Sequence, residues 1–233
     1  MDKGLYMGVA AMTAAERRMD ALAGNIANAS SIAFKRQGTV TRAFEVGNGD
    51  RKHVEIDSKH STDWTQGQIE ERSDPWSLAL DGDGFFTVET PAGEAYTRNG
   101  TFHVDDKGEL YTTEGHPVAW VGQRGRVQPT GEEITVDPTG RVRQGTNEVG
   151  QLRLADFVER DQLTVDREGY WHARPELTPK EPTAVVRQGA FERSNVEAID
   201  ELVGLIKVQR SFESASKVMQ TIDQSYRRMN QAR

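Results

Sequence analysis

Apolar residues recur at heptad spacing at the two ends of the chain, with no third long helical pattern between them. Near the start, Leu5, Gly8, Met12, Ala15, Met19, Leu22 and Ile26 follow one another in alternate steps of three and four residues. Near the end, Leu205, Val208, Phe212, Ala215, Met219, Ile222, Tyr226 and Met229 do the same. That spacing puts each set on one stripe of an α-helix and is the seam of packed helices. It predicts helices from about Lys3 to Ala27 and from about Asn195 to Met229, with Ser194 or Asn195 as N-cap and Glu197 in the first turn. The second helix carries a further stripe, Val196, Ile199, Val203 and Ile206, so its early part is expected to face two neighbours. Gly8 and Ala15 leave room for bulkier residues such as Phe212 or Tyr226. The expectation is that the two termini pair as a coiled coil and keep apolar surface for other copies.

The pattern changes between Gln66 and Tyr170, where short alternating apolar runs are separated by turn chemistry. Leu78-Ala79-Leu80 precedes Asp81-Gly82-Asp83-Gly84, and Phe85-Phe86-Thr87-Val88 follows. Asn99-Gly100, Asp106-Lys107-Gly108, Glu114-Gly115 and Asp137-Pro138-Thr139-Gly140 punctuate the rest. Such density of turn signals predicts hairpins of an antiparallel sheet, ending near Leu152-Arg153-Leu154 and Leu163-Thr164-Val165. In an alternating strand one of Phe85 and Phe86 is expected to enter the core and the other to face out. Polar residues 36–65, including Gly47-Asn48-Gly49-Asp50, read as an extended connector. Residues 172–193, with Pro175, Pro179 and Pro182, read as a second, Pro-rich one. The fold class is therefore α+β: an N-terminal helical region 1–35, a connector 36–65, an all-β domain 66–171, a connector 172–193 and a C-terminal helix 194–233.

Composition narrows the functions open to this chain. Its 233 residues suffice for one sizeable core or two small ones. A formal charge of -7 argues against a general nucleic-acid partner, which needs a basic face. No window reaches the roughly 18 continuous apolar residues of a membrane span. The absence of cysteine excludes disulfides, thiolate metal sites and a cysteine nucleophile. No apolar stretch of the kind found in cleavable signals precedes Thr13, so export is expected to need a route without cleavage.

Several strings resemble the flagellar rod and hook family of axial proteins. Ala23-Gly24-Asn25-Ile26-Ala27-Asn28-Ala29 followed by Phe34-Lys35-Arg36 resembles that family's N-terminal signature. Asp81-Gly82-Asp83-Gly84-Phe85-Phe86 and Tyr96-Thr97-Arg98-Asn99-Gly100-Thr101-Phe102 resemble its β-domain signatures. Gln188-Gly189, Glu192 and Ser194-Asn195-Val196 resemble the entry to its C-terminal helix, and Gln209-Arg210-Ser211-Phe212-Glu213 resembles that helix's middle. The short connector between Arg36 and Gln66 resembles proximal rod members more than distal rod and hook proteins. One departure stands at Ser31-Ile32-Ala33, where the family commonly has Thr-Pro-Gly, leaving that bend either helical or looser. The resemblance implies a structural subunit of the periplasm-crossing rod in the flagellar basal body, exported unfolded through the type III apparatus. Its partners would be copies of itself and other rod proteins, and it would assemble helically to transmit motor torque. No nucleic acid, membrane insertion, small-molecule substrate or cofactor is implied.

The residues offer little for catalysis. Asp81-Gly82-Asp83-Gly84 opens like a calcium loop, but the twelfth position falls on Ala92, so a hairpin turn is expected. His53, His60, His103, His116 and His172 lack metal-ligand spacing. Neither a nucleophile elbow nor a phosphate-binding glycine loop occurs. The alternatives are another rod or hook axial protein, a ligand- or carbohydrate-binding β-domain oligomerised by a coiled coil, or a hydrolase whose clustered carboxylates only folding would bring together.

Overall fold

Both heptad-patterned ends are helical in the computed structural model, which describes residues 3–46, 53–128 and 131–231. Helix α1 spans Lys3–Ala27 and α2 spans Ala198–Gln231. Two compact units emerge, one of residues 1–29, 35–64 and 196–233, the other of residues 30–34 and 65–195.

In the first unit the helices pack antiparallel. A Cβ added to Gly8 would overlap the Met219 thioether, and one added to Gly204 would meet Leu22 Cδ2 at 3.2 Å. Asn25, which donates to Glu201, extends the same register. The room at Gly8 is thus filled by Met219, against the expectation of Phe212 or Tyr226, and the Tyr226 side chain lies outside the described residues. Helix α1 closes on itself at Asn28, whose backbone N–H and side-chain Nδ2 both donate to the Gly24 carbonyl, at 3.1 and 2.9 Å. Helix α2 starts later than its expected caps. Its first helical bond runs from the Glu201 N–H to the Glu197 carbonyl, while the Asn195 amide donates to Thr65 instead.

The segment expected as a connector at 36–65 is a hairpin. Strands β1 (Gln37–Val46) and β2 (His53–Thr62) pair antiparallel without a bulge, from Gln37↔Thr62 to Val46↔His53. Val40, Phe44 and Val46 alternate with polar residues at the period of a strand, a signal that the overall polarity of the segment hides. The Gly47-Asn48-Gly49-Asp50 turn lies outside the described residues.

The second unit is built from short strands. They are β3 (Ile69–Glu71), β4 (Leu78–Asp81), β5 (Phe85–Thr90), β6 (Gly93–Thr97), β7 (Phe102–Val104), β8 (Leu110–Thr112), β9 (Ile134–Val136) and β10 (Arg141–Gln144). After them come β11 (Asn147–Gln151), β12 (Leu154–Ala155), β13 (Thr164–Val165), β14 (Trp171–His172), β15 (Val185–Gln188) and β16 (Ala190–Glu192). The largest sheet has the order β12-β5-β6-β14-β13, and every ladder is antiparallel. The Pro-rich connector ends earlier than its expected boundary, because β15 pairs with β4 and β16 with β3.

Phe85 and Phe86 are both buried, against the expectation that one faces out. Phe86 enters the main core, meeting Phe102 edge-on at 5.2 Å beside Leu78, Leu80 and Leu110. Phe85 points to the opposite face, where Phe157 covers both it and Tyr96, at 6.3 and 4.8 Å between ring centroids. Gly100 owes its place to close approach and not to turn geometry. A Cβ there would strike the Leu78 carbonyl, and the Leu78 N–H donates to the Gly100 carbonyl at 2.9 Å.

Candidate assembly surface

The seam residues do not share one degree of cover. Leu22 and Val208 are buried, while Met12, Met19, Ile26, Leu205, Phe212, Met219 and Ile222 are half-buried. The side chains of Leu5, Tyr226 and Met229 lie outside the described residues. Of the second stripe, Val196 is buried and the rest is open: Ile199 is 76% exposed and Ile206 52%, with Val203 and Leu202 between them also exposed. Four large aliphatic side chains at helical spacing therefore face outward on the first two turns and a little more of α2.

The N-terminal signature residues form a polar knot beneath the helices. Asn25 is fully buried, and its carboxamide pairs with the backbone of Gln37 as a strand would. Oδ1 accepts from the Gln37 N–H and Nδ2 donates to the Gln37 carbonyl, both at 2.8 Å. The second Nδ2 hydrogen goes to Glu201 Oε2 at 2.9 Å, and Arg36 Nε donates to Glu201 Oε1 at 2.5 Å. Glu201 is only 3% exposed, so these partners, and not water, satisfy its carboxylate oxygens. The Asp63 N–H donates to the Arg36 carbonyl, and Thr62 Oγ1 donates to Gln37 Oε1, closing the base of the β1–β2 hairpin. Lys35 is buried, and Asn28 and Arg36 are half-buried. Glu201 escapes a reading of the sequence because an acid in a first helical turn is ordinarily solvated there.

In the β-unit, Phe34, Ser194 and Asn195 are half-buried, and the Asn195 N–H donates to the Phe34 carbonyl at 3.3 Å. The bend that precedes them is irregular: Ala33 takes φ 57°, the left-handed region where the family's Gly would sit, and its N–H donates to the Glu192 carbonyl at 2.8 Å. Arg98 binds the Asp81–Gly84 turn from within. Nη1 donates to the carbonyls of Gly82 and Gly84 at 2.7 and 2.8 Å, and Nη2 donates to that of Leu80 at 3.1 Å. Its guanidinium also pairs with buried Glu192.

Ionisable groups elsewhere hold loops. His172 and His116 pair with Asp166 and Glu168, each at 2.8 Å, and the Tyr170 hydroxyl donates its one proton to Glu114 and accepts from the Thr112 hydroxyl. Burial, then the Glu114 carboxylate, raises the Tyr170 phenol well above its ordinary value. His103 stacks on Tyr111, and His60 lies in β2. His53 opens β2, and its side chain lies outside the described residues. No helix among the described residues is long and apolar enough to cross a membrane.

Comparison with known proteins bears on this arrangement directly. Residues 187–232 match the family described as flagellar basal body rod FlgEFG protein C-terminal. Residues 79–144 match the flagellar hook protein FlgE/F/G D1 domain. The flagellar basal-body rod protein FlgF of Mesorhizobium japonicum is 33% identical, over 94% of this chain and 92% of that protein. FlgF of Escherichia coli is 31% identical over 99% and 98% of the two chains, and the rod protein FlgG of Bacillus subtilis is 29% identical over 96% of each. The two matched domains hold the Arg98-clasped turn and helix α2 with its open stripe, and the chain belongs to the flagellar basal-body rod protein family, with a likeness to its FlgF members.

Proposed function

We propose that this rod subunit assembles helically with copies of itself and with other rod proteins to carry motor torque across the periplasm, through its terminal regions 1–35 and 194–233. The observation that carries this is the outward stripe of Ile199, Leu202, Val203 and Ile206 on a helix whose other face is already occupied by α1. Each such side chain contributes on the order of 1.5–3 kcal/mol when covered, and a single copy leaves that contribution unrealised. In the assembled rod the α1–α2 pair works as a coiled coil, with Leu5, Met12, Met19, Leu22, Ile26, Leu205, Val208, Phe212, Met219, Ile222, Tyr226 and Met229 as its seam. Export proceeds unfolded through the type III apparatus, a route that a chain without cysteine can follow with no risk of wrong bridges. The role is structural and non-catalytic.

The test is a complementation experiment with the stripe double variant Ile199→Asp/Ile206→Asp. The β-unit is expected to keep its wild-type melting profile, while swimming is lost and the subunit is missing from isolated basal bodies. Normal swimming by this variant would remove the proposal.

A further inference from the structure

Asn25, Arg36, Gln37 and Glu201 come from three different elements, α1, the start of β1 and the first turn of α2, yet form one hydrogen-bonded knot. Its chemistry is sequential. The Asn25 carboxamide presents to Gln37 the donor and acceptor that a neighbouring strand would present, so the hairpin begins against a helix side chain. That carboxamide is itself fixed by Glu201, which takes its remaining hydrogen, and Glu201 is neutralised by Arg36 from the residue next to Gln37. With α2 displaced, the buried Asn25 loses an acceptor and Arg36 loses this carboxylate. Buried polar groups without partners are disfavoured, so the hairpin's seat weakens when α2 leaves.

We infer that Glu201 is a positioning residue that couples the docking of α2 on α1 to the seating of the β1–β2 hairpin, so that the two order together. The inference rests on the assembly proposal, because it concerns how the terminal regions reach the shape in which they assemble. Its consequence is a two-state element. Covering the helices, as neighbouring subunits would, also fixes the hairpin, and a chain with its termini apart presents no ordered hairpin.

Since the chain contains no cysteine, a single engineered pair can hold the helices together far from the knot. A Cβ at Gly8 would overlap Met219, which places the pair Gly8→Cys/Met219→Cys within reach of a disulfide. Amide hydrogen exchange is measured on the full-length chain carrying this pair, oxidised and reduced, with and without Glu201→Ala. Oxidation is expected to slow exchange in residues 37–46 and 53–62 as well as in the helices. Glu201→Ala in the oxidised chain is expected to speed hairpin exchange by about tenfold or more, with the amides of residues 78–88 unchanged as the folding control. Arg36→Ala is expected to act in the same direction, and the double variant Arg36→Ala/Glu201→Ala by less than the product of the two. Hairpin exchange unaffected by Glu201→Ala in the oxidised chain would overturn the coupling. So would helix protection that rises on oxidation while the hairpin's does not. Neither outcome touches the assembly proposal, which is read out by swimming.

Discussion

Arg98 Nη2 lies 2.8 Å from Glu192 Oε2, an ion pair buried in the β-unit between residues 94 positions apart in the chain. Glu192 Oε1 also accepts from the Gly67 N–H at 2.9 Å, and Arg98 serves three carbonyls of the β4–β5 turn. The pair therefore ties four stretches of chain, around Gly67, Leu80–Gly84, Arg98 and Glu192, into one fastening. Breaking a buried pair by removing one partner typically costs about 3–5 kcal/mol. Arg98→Met and Glu192→Leu are each expected to fall in that range by urea unfolding. The double variant is expected to stay destabilised by at least about 2 kcal/mol, because the carbonyls of Leu80, Gly82 and Gly84 lose their donor whenever Arg98 is replaced. Recovery of wild-type stability by the double variant would show that the carbonyl contacts contribute nothing.

Phe85 and Phe86 present opposite faces of one strand, and both faces are covered. Phe86→Ala opens a cavity beside Phe102, and Phe85→Ala opens one beneath Phe157. Each is expected to cost about 3–5 kcal/mol. Thermal melts of the two variants should fall close together, and a Phe85→Ala melt near wild type would show the Phe157 face to be loosely packed.

What could be read in the sequence depended on how far apart the cooperating residues lie. Helices α1 and α2 were legible because a period of three and four is written within a few turns. The β-unit was legible from turn residues at short spacing. The β1–β2 hairpin was not, since Val40, Phe44 and Val46 are diluted by polar neighbours and the segment lacks a continuous apolar run. Strands β15 and β16 were obscured by the prolines before them, and their partners β4 and β3 lie more than a hundred residues upstream. The signature residues Asn25 and Arg36 stood out only by resemblance. Their use, in a knot with Glu201, comes from contacts across 176 and 165 residues that no local pattern encodes.

Ala33 holds φ 57° where the family commonly has glycine. An L-residue in the left-handed region is disfavoured by roughly 1–2 kcal/mol. Glycine would relieve this but would lose a buried methyl, about 0.8 kcal/mol, and gain unfolded-state entropy of about 0.5–1 kcal/mol. Ala33→Gly is therefore expected to be near neutral. Ala33→Val is different, because a β-branched residue at positive φ is a steric outlier. It is expected to destabilise the β-unit by about 2 kcal/mol or more, partly by disturbing the bond from the Ala33 N–H to the Glu192 carbonyl. Equal denaturation midpoints for the Gly and Val variants would mean that the bend adopts another conformation in solution.

The β-unit is expected to lose stability at both ends of the pH range, for opposite reasons. The hydrogen bond from Arg160 chiefly lowers the Asp83 carboxyl below its usual value. At Asp137 and Asp166 burial works upward, but it is outweighed by bonds from Thr139 and the Arg141 N–H in one case, and from His172 and the Tyr170 N–H in the other. A carboxyl depressed in the folded state stabilises above its unfolded value of about 4, and that contribution is lost as pH falls through the lower folded value. The Tyr170 phenol is raised, first by burial and then by Glu114, so its contribution is present below its unfolded value of about 10 and is lost as pH rises toward the folded value. These carboxyls therefore place an acid limb of the denaturation profile below about pH 4, and the phenol places an alkaline limb above about pH 10. Asp137→Asn with Asp166→Asn is expected to lower stability at neutral pH and flatten the acid limb, while Tyr170→Phe is expected to flatten the alkaline limb alone. An acid limb as steep in the Asn variants as in the wild type would show that other carboxylates govern it.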